Sequence, residues 1–513
     1  MIVVSSSQKK LRVFAASAML LALVAVAGCL AALHGSTRGL IVETADIEGI
    51  PATIYRRSDV IHAPVVVVAH GFAGSQQMMQ PLAATLGRSG YVVVTFDFAG
   101  HGRNAAPLLG GLKSLETSTR RLLQDVGAVV AFARAFPEGD GRVALVGHSM
   151  ASELVVQYAM ENKGVDAVVA LSLFGRAVTA DNPRNLIVID GAWEPAFLRD
   201  SARRIVAEVA GSEPRERETY GDFAQGDARR YVYAAGAEHI GVIYSKEGIE
   251  AARDWLNAAF GRTDSAPADR RGAWIGGLCL AIVALLRALS PVLPRLADQR
   301  PPARRPLVLF AILLAAAVLT PVALAFVPTD FLPILLGDYL AAHFALYGVL
   351  LWLGLWFTRD RGAAEFGGVR PAVVATGLAA GVVVIVAFGL PLDAYVTSFW
   401  PTGLRPLLIP VEFAAVLATF SAEARLSRGA GAPRFALVGC KLMFLVSLAA
   451  AIALSPQRLF FLIIVTPVVA VLFVLFGLID RWCARRTNAP LVGALATSLL
   501  LAWAISTTFP LVG

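Results

Sequence analysis

Ser149 stands where residue types and spacing most clearly indicate chemistry. The apolar run Val143–Val146 leads into Gly147-His-Ser-Met-Ala151, and a helical pattern follows. A strand that turns sharply into a helix exposes a serine at the turn and directs the next backbone N–H, that of Met150, toward a developing oxyanion. The common pattern ends in glycine, and Ala151 departs from it by one methyl group. On this motif alone, a serine in an ordinary strand–helix loop remains the alternative to a nucleophile.

Two later segments supply the residue types that would activate a serine. Glu194 ends a turn after the predicted strand 186–189, and His239 follows the last predicted strand. A serine hydroxyl becomes a strong nucleophile when an imidazole accepts its proton, and the imidazole needs a carboxylate to fix its tautomer and stabilise its cation. The chain order therefore predicts a triad of Ser149, His239 and Glu194. Asp190, at the end of the same strand, is the alternative acid.

Residues from about Gly39 to Gly261 resemble the α/β-hydrolase superfamily, and are nearest to its serine aminopeptidase, monoacylglycerol lipase and dienelactone hydrolase-like branches. The motifs that carry the resemblance are His70-Gly71-Phe72, Phe96–Gly102, Gly147–Ala151, Asp190–Glu194 and Ala237-Glu-His239. The resemblance implies a mostly parallel central sheet flanked by helices. It places the other oxyanion donor at the backbone N–H of Phe72. It also implies that Asp97 and His101 are structural residues of a turn that borders the pocket.

Periodicity predicts a β-hairpin over Leu40–Ile54, followed by strands with parallel-sheet character. These further strands are Val65–Ala69, Tyr91–Asp97, Arg142–Val146, Ala167–Leu173, Leu186–Ile189 and Arg230–Ala234. Apolar runs separated by helical patterns are typical of parallel strands that are covered on both faces. Only Gly175–Arg184 lies where many relatives insert a lid domain, so we expect an uncapped site.

Composition indicates that a second part of the chain lies in a membrane. Hydrophobic residues make up 57% of the 513 residues and charged residues only 16%, and the apolar excess follows Gly272. The predicted organisation is an N-terminal signal anchor (1–38), an α/β-hydrolase domain (39–261), a polar linker (262–272) and an all-α multi-span domain (273–513). The eight predicted spans of the last part are Ala273–Leu293, Leu307–Val327, Asp338–Phe357, Ala372–Leu390, Leu407–Ala422, Phe435–Leu454, Leu459–Ile479 and Leu491–Pro510.

The N-terminus has the features of an export signal. Lys9, Lys10 and Arg12 precede the apolar run Val13–Leu33. Because this run continues past Cys29 and reaches the roughly 20 residues that a span needs, we favour an uncleaved anchor. The alternative is a lipoprotein signal in which Cys29 carries the lipid. Both interpretations place the hydrolase domain outside the cytoplasm.

Positive charges in the C-terminal half predict the same topology. Arginines occupy every second loop between the apolar segments, and they are Arg295, Arg300, Arg304, Arg305, Arg359, Arg361, Arg370, Arg425, Arg428, Arg434, Arg481, Arg485 and Arg486. Since Lys and Arg are retained on the cytoplasmic side, the hydrolase domain is predicted to be extracytoplasmic, in a multi-pass protein of a bacterial inner membrane. For the same reason the net charge of +8 is interpreted as a topology signal and not as a nucleic-acid-binding face.

The remaining titratable residues suggest no cofactor. All four cysteines lie in or beside apolar segments, so the predicted hydrolase domain offers no zinc site of the cysteine type, and we expect neither metal nor cofactor. Within the spans, Glu412 and His343 are candidates for a functional role, since charge there is costly. Arg287 and Lys441 are expected to extend toward the membrane surface. The role of Glu412 and the oligomeric state stay open.

The leading hypothesis is a membrane-anchored, extracytoplasmic serine hydrolase that cleaves an ester, thioester or amide through an acyl-enzyme. Its expected partners are the lipid bilayer and a small-molecule or acylated substrate at the membrane surface. One alternative is an acyltransferase, in which an alcohol or amine replaces water. Another is a transporter or scaffold whose hydrolase-like domain is a non-catalytic sensor, because a fold alone does not prove activity.

Overall fold

The structure is a computed structural model that describes residues 6–174, 178–298, 303–358 and 370–513, with side chains from residue 16 onward. The chain forms two compact units. The sheet unit comprises Cys29–Gly276, Leu392–Thr402 and Pro510–Gly513, and the helical unit comprises Met1–Gly28, Gly277–Pro391 and Gly403–Phe509. Outside the described parts lie Arg300, Arg359, Arg361, the first residues of Gly175–Arg184 and the side chains of Lys9, Lys10 and Arg12.

Eight strands form one sheet in the described part of the sheet unit. They are β1 (Ile41–Ile47), β2 (Ile50–Arg56), β3 (Ala63–Ala69), β4 (Val92–Phe96), β5 (Gly139–His148), β6 (Ala167–Leu171), β7 (Leu186–Gly191) and β8 (Arg229–Ala234). Their order is β1-β2-β4-β3-β5-β6-β7-β8. The hairpin β1–β2 pairs antiparallel, as does β2 with β4, and the remaining pairs are parallel. Every strand that the sequence predicts is present.

The described residues also form fourteen α-helices. They are α1 (Ser6–Gly35), α2 (Gln80–Arg88), α3 (Leu115–Arg134), α4 (Met150–Glu161), α5 (Ala196–Ala210), α6 (Lys246–Phe260), α7 (Arg271–Leu289), α8 (Pro306–Leu324), α9 (Gly337–Phe357), α10 (Pro371–Tyr395), α11 (Arg405–Ser427), α12 (Ala436–Leu454), α13 (Pro456–Thr487) and α14 (Pro490–Thr508).

Both faces of the sheet are buried, which explains the unbroken apolar strands. On β3, Val65 and Val67 belong to the core cluster that also contains residues of α3, α4 and α5, whereas Val66 and Val68 belong to a second cluster that contains residues of α2 and α6. All four are fully buried. Burial of one such side chain contributes roughly 1.5–3 kcal/mol. The two-sided core therefore fixes the register of the central strands, since a slip by one residue would exchange the two faces.

The sheet unit has the α/β-hydrolase fold, as its strand order and flanking helices show. Between β6 and β7 the residues that the structure describes contain no helix. The sheet unit also contains residues from far along the chain, namely 392–402 and 510–513. The predicted domains 39–261, 262–272 and 273–513 are continuous stretches of sequence, whereas the compact units are not. These domain boundaries stay predictions.

Nine helices in the described ranges are long and apolar enough to cross a membrane by length and composition, which is consistent with a multi-pass membrane protein. One lies near the N-terminus, at Ala16–Gly35, and the others correspond to α7–α14. Each predicted span overlaps one of these helices. The orientation of the helices and the choice between an anchor and a lipid on Cys29 stay predictions.

Lys441 differs from the expectation that it would extend toward the membrane surface. Its ammonium group donates to the Glu423 carboxylate and lies 3.6 Å from the centre of the Phe420 ring, with only 12% of the side chain exposed. The expectation was wrong because α11 supplies a buried carboxylate that pairs with the charge inside the helical unit. Glu412 is also fully buried, and no described group hydrogen-bonds to its carboxylate.

The end of β5 and the start of α4 approach so closely that only glycine fits at position 147. A methyl group on Gly147 would lie 2.3 Å from the carbonyl oxygen of Ala151. Gly147→Ala should therefore lower the thermal midpoint of the detergent-solubilised protein, at a cost of about 1–3 kcal/mol for overpacking. Gly127→Ala, on α3, is the control, because the new methyl group would lie at an ordinary 3.5 Å from the Tyr158 ring on α4. Equal thermal midpoints for the two variants would contradict this account.

Candidate active site

Ser149 occupies the turn between β5 and α4 in a conformation that is rare for any residue other than glycine. Its backbone angles are φ +54° and ψ −119°. The Ser149 N–H donates to the carbonyl oxygen of Leu171 on β6 at 2.8 Å, which helps to hold the turn. Strained backbone of this kind persists only where the surrounding structure stabilises it. The strain is the local cost of projecting the hydroxyl group away from the sheet.

Both predicted oxyanion donors lie next to Ser149. A methyl group on Gly71 would lie 3.1 Å from the Ser149 Cβ, so the loop after β3 runs directly against the serine, and Phe72 is the next residue. Met150 is the first residue of α4. The first N–H groups of a helix have no acceptor within the helix, and they carry its partial positive charge. The loop after β3 and the start of α4 thus both adjoin the serine, and the role of the two N–H groups as oxyanion donors stays a prediction.

His239 connects Ser149 to Glu194 through two hydrogen bonds. Its Nε2 lies 2.8 Å from the Ser149 Oγ, and its Nδ1 lies 2.6 Å from a Glu194 carboxylate oxygen. The tautomer with hydrogen on Nδ1 satisfies both contacts, because the carboxylate can only accept and Nε2 is then free to accept from the hydroxyl. The imidazole is 20% exposed and the Glu194 side chain is fully buried. A substrate can therefore reach the histidine, while the carboxylate is shielded from water.

Glu194 keeps its negative charge despite this burial. Burial alone would raise its pKa, but the hydrogen bond with His239 and the N–H of Gly191, which donates at 3.0 Å, outweigh burial and leave the pKa below its usual value. Gly191 is needed for this geometry, since a methyl group there would lie 2.4 Å from the carbonyl oxygen of Ala237. The close approach of the ends of β7 and β8 thus brings Glu194 to His239.

Asp190 is placed differently from Glu194, although the sequence leaves both open as the acid. It is fully buried at the end of β7, and the His239 imidazole bonds to Glu194 and not to it. Burial, together with the negative charge of Glu194, raises the pKa of Asp190 well above its usual value. Folding therefore favours the neutral, protonated form of Asp190, whereas it favours the charged form of Glu194.

His148 is a site residue whose role the sequence did not reveal. Its Nε2 donates to the carbonyl oxygen of His239 at 2.8 Å, across 91 residues of chain. Burial lowers its pKa to about 4, so the ring is neutral at neutral pH. His148 therefore supports the backbone that carries the imidazole. The motif Gly-His-Ser shows only that a donor side chain precedes the serine, and the fold decides what that donor reaches.

Asp97 and His101 support the loop that carries Phe72, in keeping with the structural role implied for them. The buried Asp97 carboxylate accepts from the backbone and side-chain nitrogens of Gln76 at 2.8 and 3.0 Å, and from the backbone of Arg103 at 3.0 Å. The ring of His101 packs edge-on against Phe72, with ring centres 6.0 Å apart. These contacts thus connect the loop that carries Phe72 to the turn that contains Asp97 and His101.

Three exposed aromatic side chains follow the carboxyl ends of β6 and β7, with Phe174 and Trp193 in the connecting loops and Phe197 in the first turn of α5. Phe174, Trp193 and Phe197 are 58%, 73% and 51% exposed, and the rings of Phe174 and Phe197 are in contact at 5.5 Å. Trp193 is adjacent in sequence to Glu194, and Phe174 lies three residues beyond Leu171, which holds the Ser149 N–H. These three rings therefore expose apolar surface on segments that follow the same strand ends as Glu194 and the residue that binds the Ser149 N–H.

Residues 61–189 match the family model of the serine aminopeptidases, S33. The match runs from β3 to β7 and includes Ser149, but it ends before Glu194 and His239. Together with the fold, it supports a hydrolase. A comparison with curated proteins finds no match.

Several solved structures are similar to part of the chain. Est1E of Butyrivibrio proteoclasticus, solved with ferulic acid, is 16% identical, with 43% of this chain and 100% of that chain covered and a TM-score of 0.33. The esterase Pf2001 of Pyrococcus furiosus is 16% identical, with coverage of 42% and 92% and a TM-score of 0.32. A dienelactone hydrolase candidate of Klebsiella pneumoniae is 14% identical, with coverage of 44% and 99% and a TM-score of 0.33.

The raised pKa of Asp190 can be tested through the pH dependence of stability. A carboxyl group whose pKa is raised by folding loses stabilisation as the pH rises from its unfolded-state pKa of about 3.9 toward its folded-state pKa. Asp190→Asn cannot titrate, so its thermal midpoint should rise relative to that of the wild type as the pH increases above about 3.9. Asp200→Asn, which removes an exposed carboxylate, should show no such gain. A difference for Asp190→Asn that is constant with pH would contradict the assignment.

Proposed function

We propose that this protein is a membrane-anchored serine hydrolase that cleaves an ester, thioester or amide bond through an acyl-enzyme on Ser149. The observation that carries the proposal is the pair of hydrogen bonds that joins Ser149, His239 and Glu194, at 2.8 and 2.6 Å. In this arrangement a serine becomes nucleophilic at neutral pH, because the proton acceptor and the group that stabilises it are already in place.

The chemistry follows from the positions of the named atoms. The Ser149 Oγ attacks the substrate carbonyl carbon while His239 Nε2 takes the hydroxyl proton, and the buried Glu194 carboxylate stabilises the resulting imidazolium. The N–H groups of Phe72 and Met150 donate to the oxyanion of the tetrahedral intermediate. His239 then gives its proton to the leaving group, which departs and leaves an acyl ester on Ser149.

Water completes the reaction by the same route. His239 accepts a proton from a water molecule as its oxygen attacks the acyl carbon, a second oxyanion forms against the same N–H groups, and the carboxylic acid leaves as Ser149 recovers its proton. An alcohol or amine acceptor in place of water would give acyl transfer. Product analysis with and without an acceptor alcohol separates the two.

We propose lipids or other acylated molecules at the outer membrane surface as the substrate class. The exposed rim of Phe174, Trp193 and Phe197 supports this, because an apolar rim can accommodate an acyl chain that would otherwise contact water. The apolar helix near the N-terminus and those after residue 270 also support it, since a protein held in a bilayer meets substrates at that surface. A soluble ester or peptide is the alternative substrate.

The catalytic assignment predicts a set of related losses in activity toward a chromogenic ester. Ser149→Ala and His239→Ala should each remove nearly all activity, and the double variant should be no worse than either single variant, because the two residues act as one proton-transfer unit. Glu194→Gln should lower kcat by about 10³–10⁴-fold.

Asp190→Asn is the matched control for Glu194→Gln, since the carboxyl groups are neighbours and only one bonds to His239. It should retain most of the activity. Labelling of Ser149 by a fluorophosphonate probe distinguishes an enzyme from a non-catalytic sensor domain. Near wild-type hydrolysis by Ser149→Ala, or a greater loss in Asp190→Asn than in Glu194→Gln, would overturn the assignment.

The proposed extracytoplasmic location predicts a labelling pattern in intact cells. A membrane-impermeant thiol reagent should reach Asp264→Cys, in the exposed polar linker, and should not reach Arg434→Cys, in the exposed loop between α11 and α12. The unsubstituted chain, whose four cysteines are buried or half-buried, gives the background, and permeabilised cells should label both variants. The reverse pattern would place the site in the cytoplasm.

A further inference from the structure

The sheet unit includes an eleven-residue stretch, Leu392–Thr402, which we call the 392–402 segment. In sequence it begins at the end of α10 and stops just before α11. It packs against Ser75, Gln77 and Gln80, which follow Phe72 within a few residues. The loop that carries a proposed oxyanion donor is therefore in contact with residues that are more than three hundred positions away.

Buried hydrogen bonds join the 392–402 segment to this loop. The backbone N–H of Ser398 donates to the Ser75 Oγ at 3.1 Å, and the Ser398 hydroxyl donates to the Gln77 Oε1 at 3.1 Å. The Gln77 amide donates in turn to the carbonyl oxygen of Asp393 at 3.2 Å. Ser75, Gln77 and Ser398 are each less than 5% exposed. Loss of a partner would leave a buried polar group without a hydrogen bond, which is unfavourable, so these contacts specify one arrangement of the loop.

An ion pair adds a second connection to the neighbouring turn. Arg103 and Asp393 pair at 2.8 Å, and the second carboxylate oxygen of Asp393 accepts from the backbone N–H of Phe399 at 3.0 Å. Asp393 thus stabilises the fold of its own segment and also pairs with Arg103. The backbone N–H of Arg103 in turn donates to the Asp97 carboxylate. Because Asp97 also binds Gln76, the Phe72 loop is held from both sides.

The last residues of the chain hold the other side of the same turn. The Leu511 N–H donates to the carbonyl oxygen of Gly100 at 2.8 Å, and the Leu108 N–H donates to the carbonyl oxygen of Leu511 at 2.8 Å. A methyl group on Gly100 would lie 2.4 Å from the Leu511 carbonyl oxygen, so the contact is close. Gly100 precedes His101, whose ring packs against Phe72.

The Phe72 loop needs this external support. Ala73 adopts a left-handed conformation with φ +55°, which is unfavourable for a residue with a Cβ and must be held by its surroundings. An oxyanion donor is effective only when its N–H lies about 2.7–3.1 Å from the oxyanion. Small displacements of the loop would therefore weaken stabilisation of the transition state more than substrate binding.

We propose that the 392–402 segment is a positioning element of the active site, which holds the Phe72 N–H in place through Ser398 and Asp393. This inference rests on the proposed serine hydrolase function. It means that the catalytic unit is completed by residues between two of the apolar helices. A hydrolase fragment that ends before residue 273 would lack this element.

The test uses the full-length protein in detergent, with Ser398→Ala, Asp393→Ala and the double variant. The double variant should lower kcat by about tenfold or more with a KM changed less than about threefold, because a displaced donor acts mainly in the transition state. The rate of fluorophosphonate labelling at Ser149 should fall in parallel. Ser398→Thr keeps the hydroxyl group and should retain kcat.

Asp140→Ala is a matched control variant. The Arg142–Asp140 pair, at 2.6 Å with side chains 46% and 18% exposed, resembles the Arg103–Asp393 pair, whose side chains are 42% and 14% exposed. It lies at the amino end of β5, opposite Ser149, so kcat should be unchanged.

The outcomes separate the two proposals. A folded double variant whose kcat lies within about twofold of the wild type would overturn the positioning role, as would a lowered thermal midpoint with unchanged kcat. If the double variant does not fold, the single Ser398→Ala variant decides in the same way, because its backbone bond to Ser75 is retained. A wild-type protein that neither hydrolyses esters nor reacts at Ser149 would instead overturn the proposed function itself, and the positioning role with it.

Discussion

The hydrogen bond between Ser149 and His239 is the contact on which the rest of the site depends. It joins two residues 90 positions apart at 2.8 Å. For this contact to form, β5 must end in a strained turn, β8 must end beside it, and the glycines at 147 and 191 must allow backbones to approach where any side chain would collide. The parallel sheet makes these demands compatible, because the carboxyl ends of its central strands meet along one edge. The buried two-sided core fixes that edge to within one residue of register.

The pKa of each carboxyl group at this edge of the sheet depends on its hydrogen-bonding partners more than on its burial. Glu194 and Asp190 are both buried, yet only Glu194 has an imidazole and a backbone N–H to stabilise its charge, so the two pKa values move in opposite directions. His148 is kept neutral by burial and serves as a donor to the backbone of His239. Folding thus favours the charged form of Glu194, which can stabilise an imidazolium, and disfavours the charged form of its neighbour Asp190.

The helical unit also contains a buried charge that is stabilised by a partner on another helix. Lys441 lies on α12, a helix apolar enough to cross a membrane, where an unpaired charge would be costly, and its ammonium group pairs with the Glu423 carboxylate. Periodicity and hydropathy predicted that a helix would lie there, since both depend on local composition. They did not predict the direction of the lysine, because that depends on which face of α11 packs nearby. The 392–402 segment is a parallel case, since its sequence contains no motif that indicates a contact with Ser75 or Gln77.

The sequence by itself determined the strands, the apolar helices and the order serine, acid, histidine, because each is encoded in local patterns of residue type. It also indicated Ser149, His239 and Glu194, and it left Asp190 open because a spacing of four residues allows either carboxylate to reach an imidazole. Only the tertiary structure decided which carboxylate bonds to His239, what His148 supports and which distant residues hold the Phe72 loop. These depend on differences of about an ångström between segments far apart in the chain, and such distances are set by packing of the whole sheet unit and not by any one stretch of sequence.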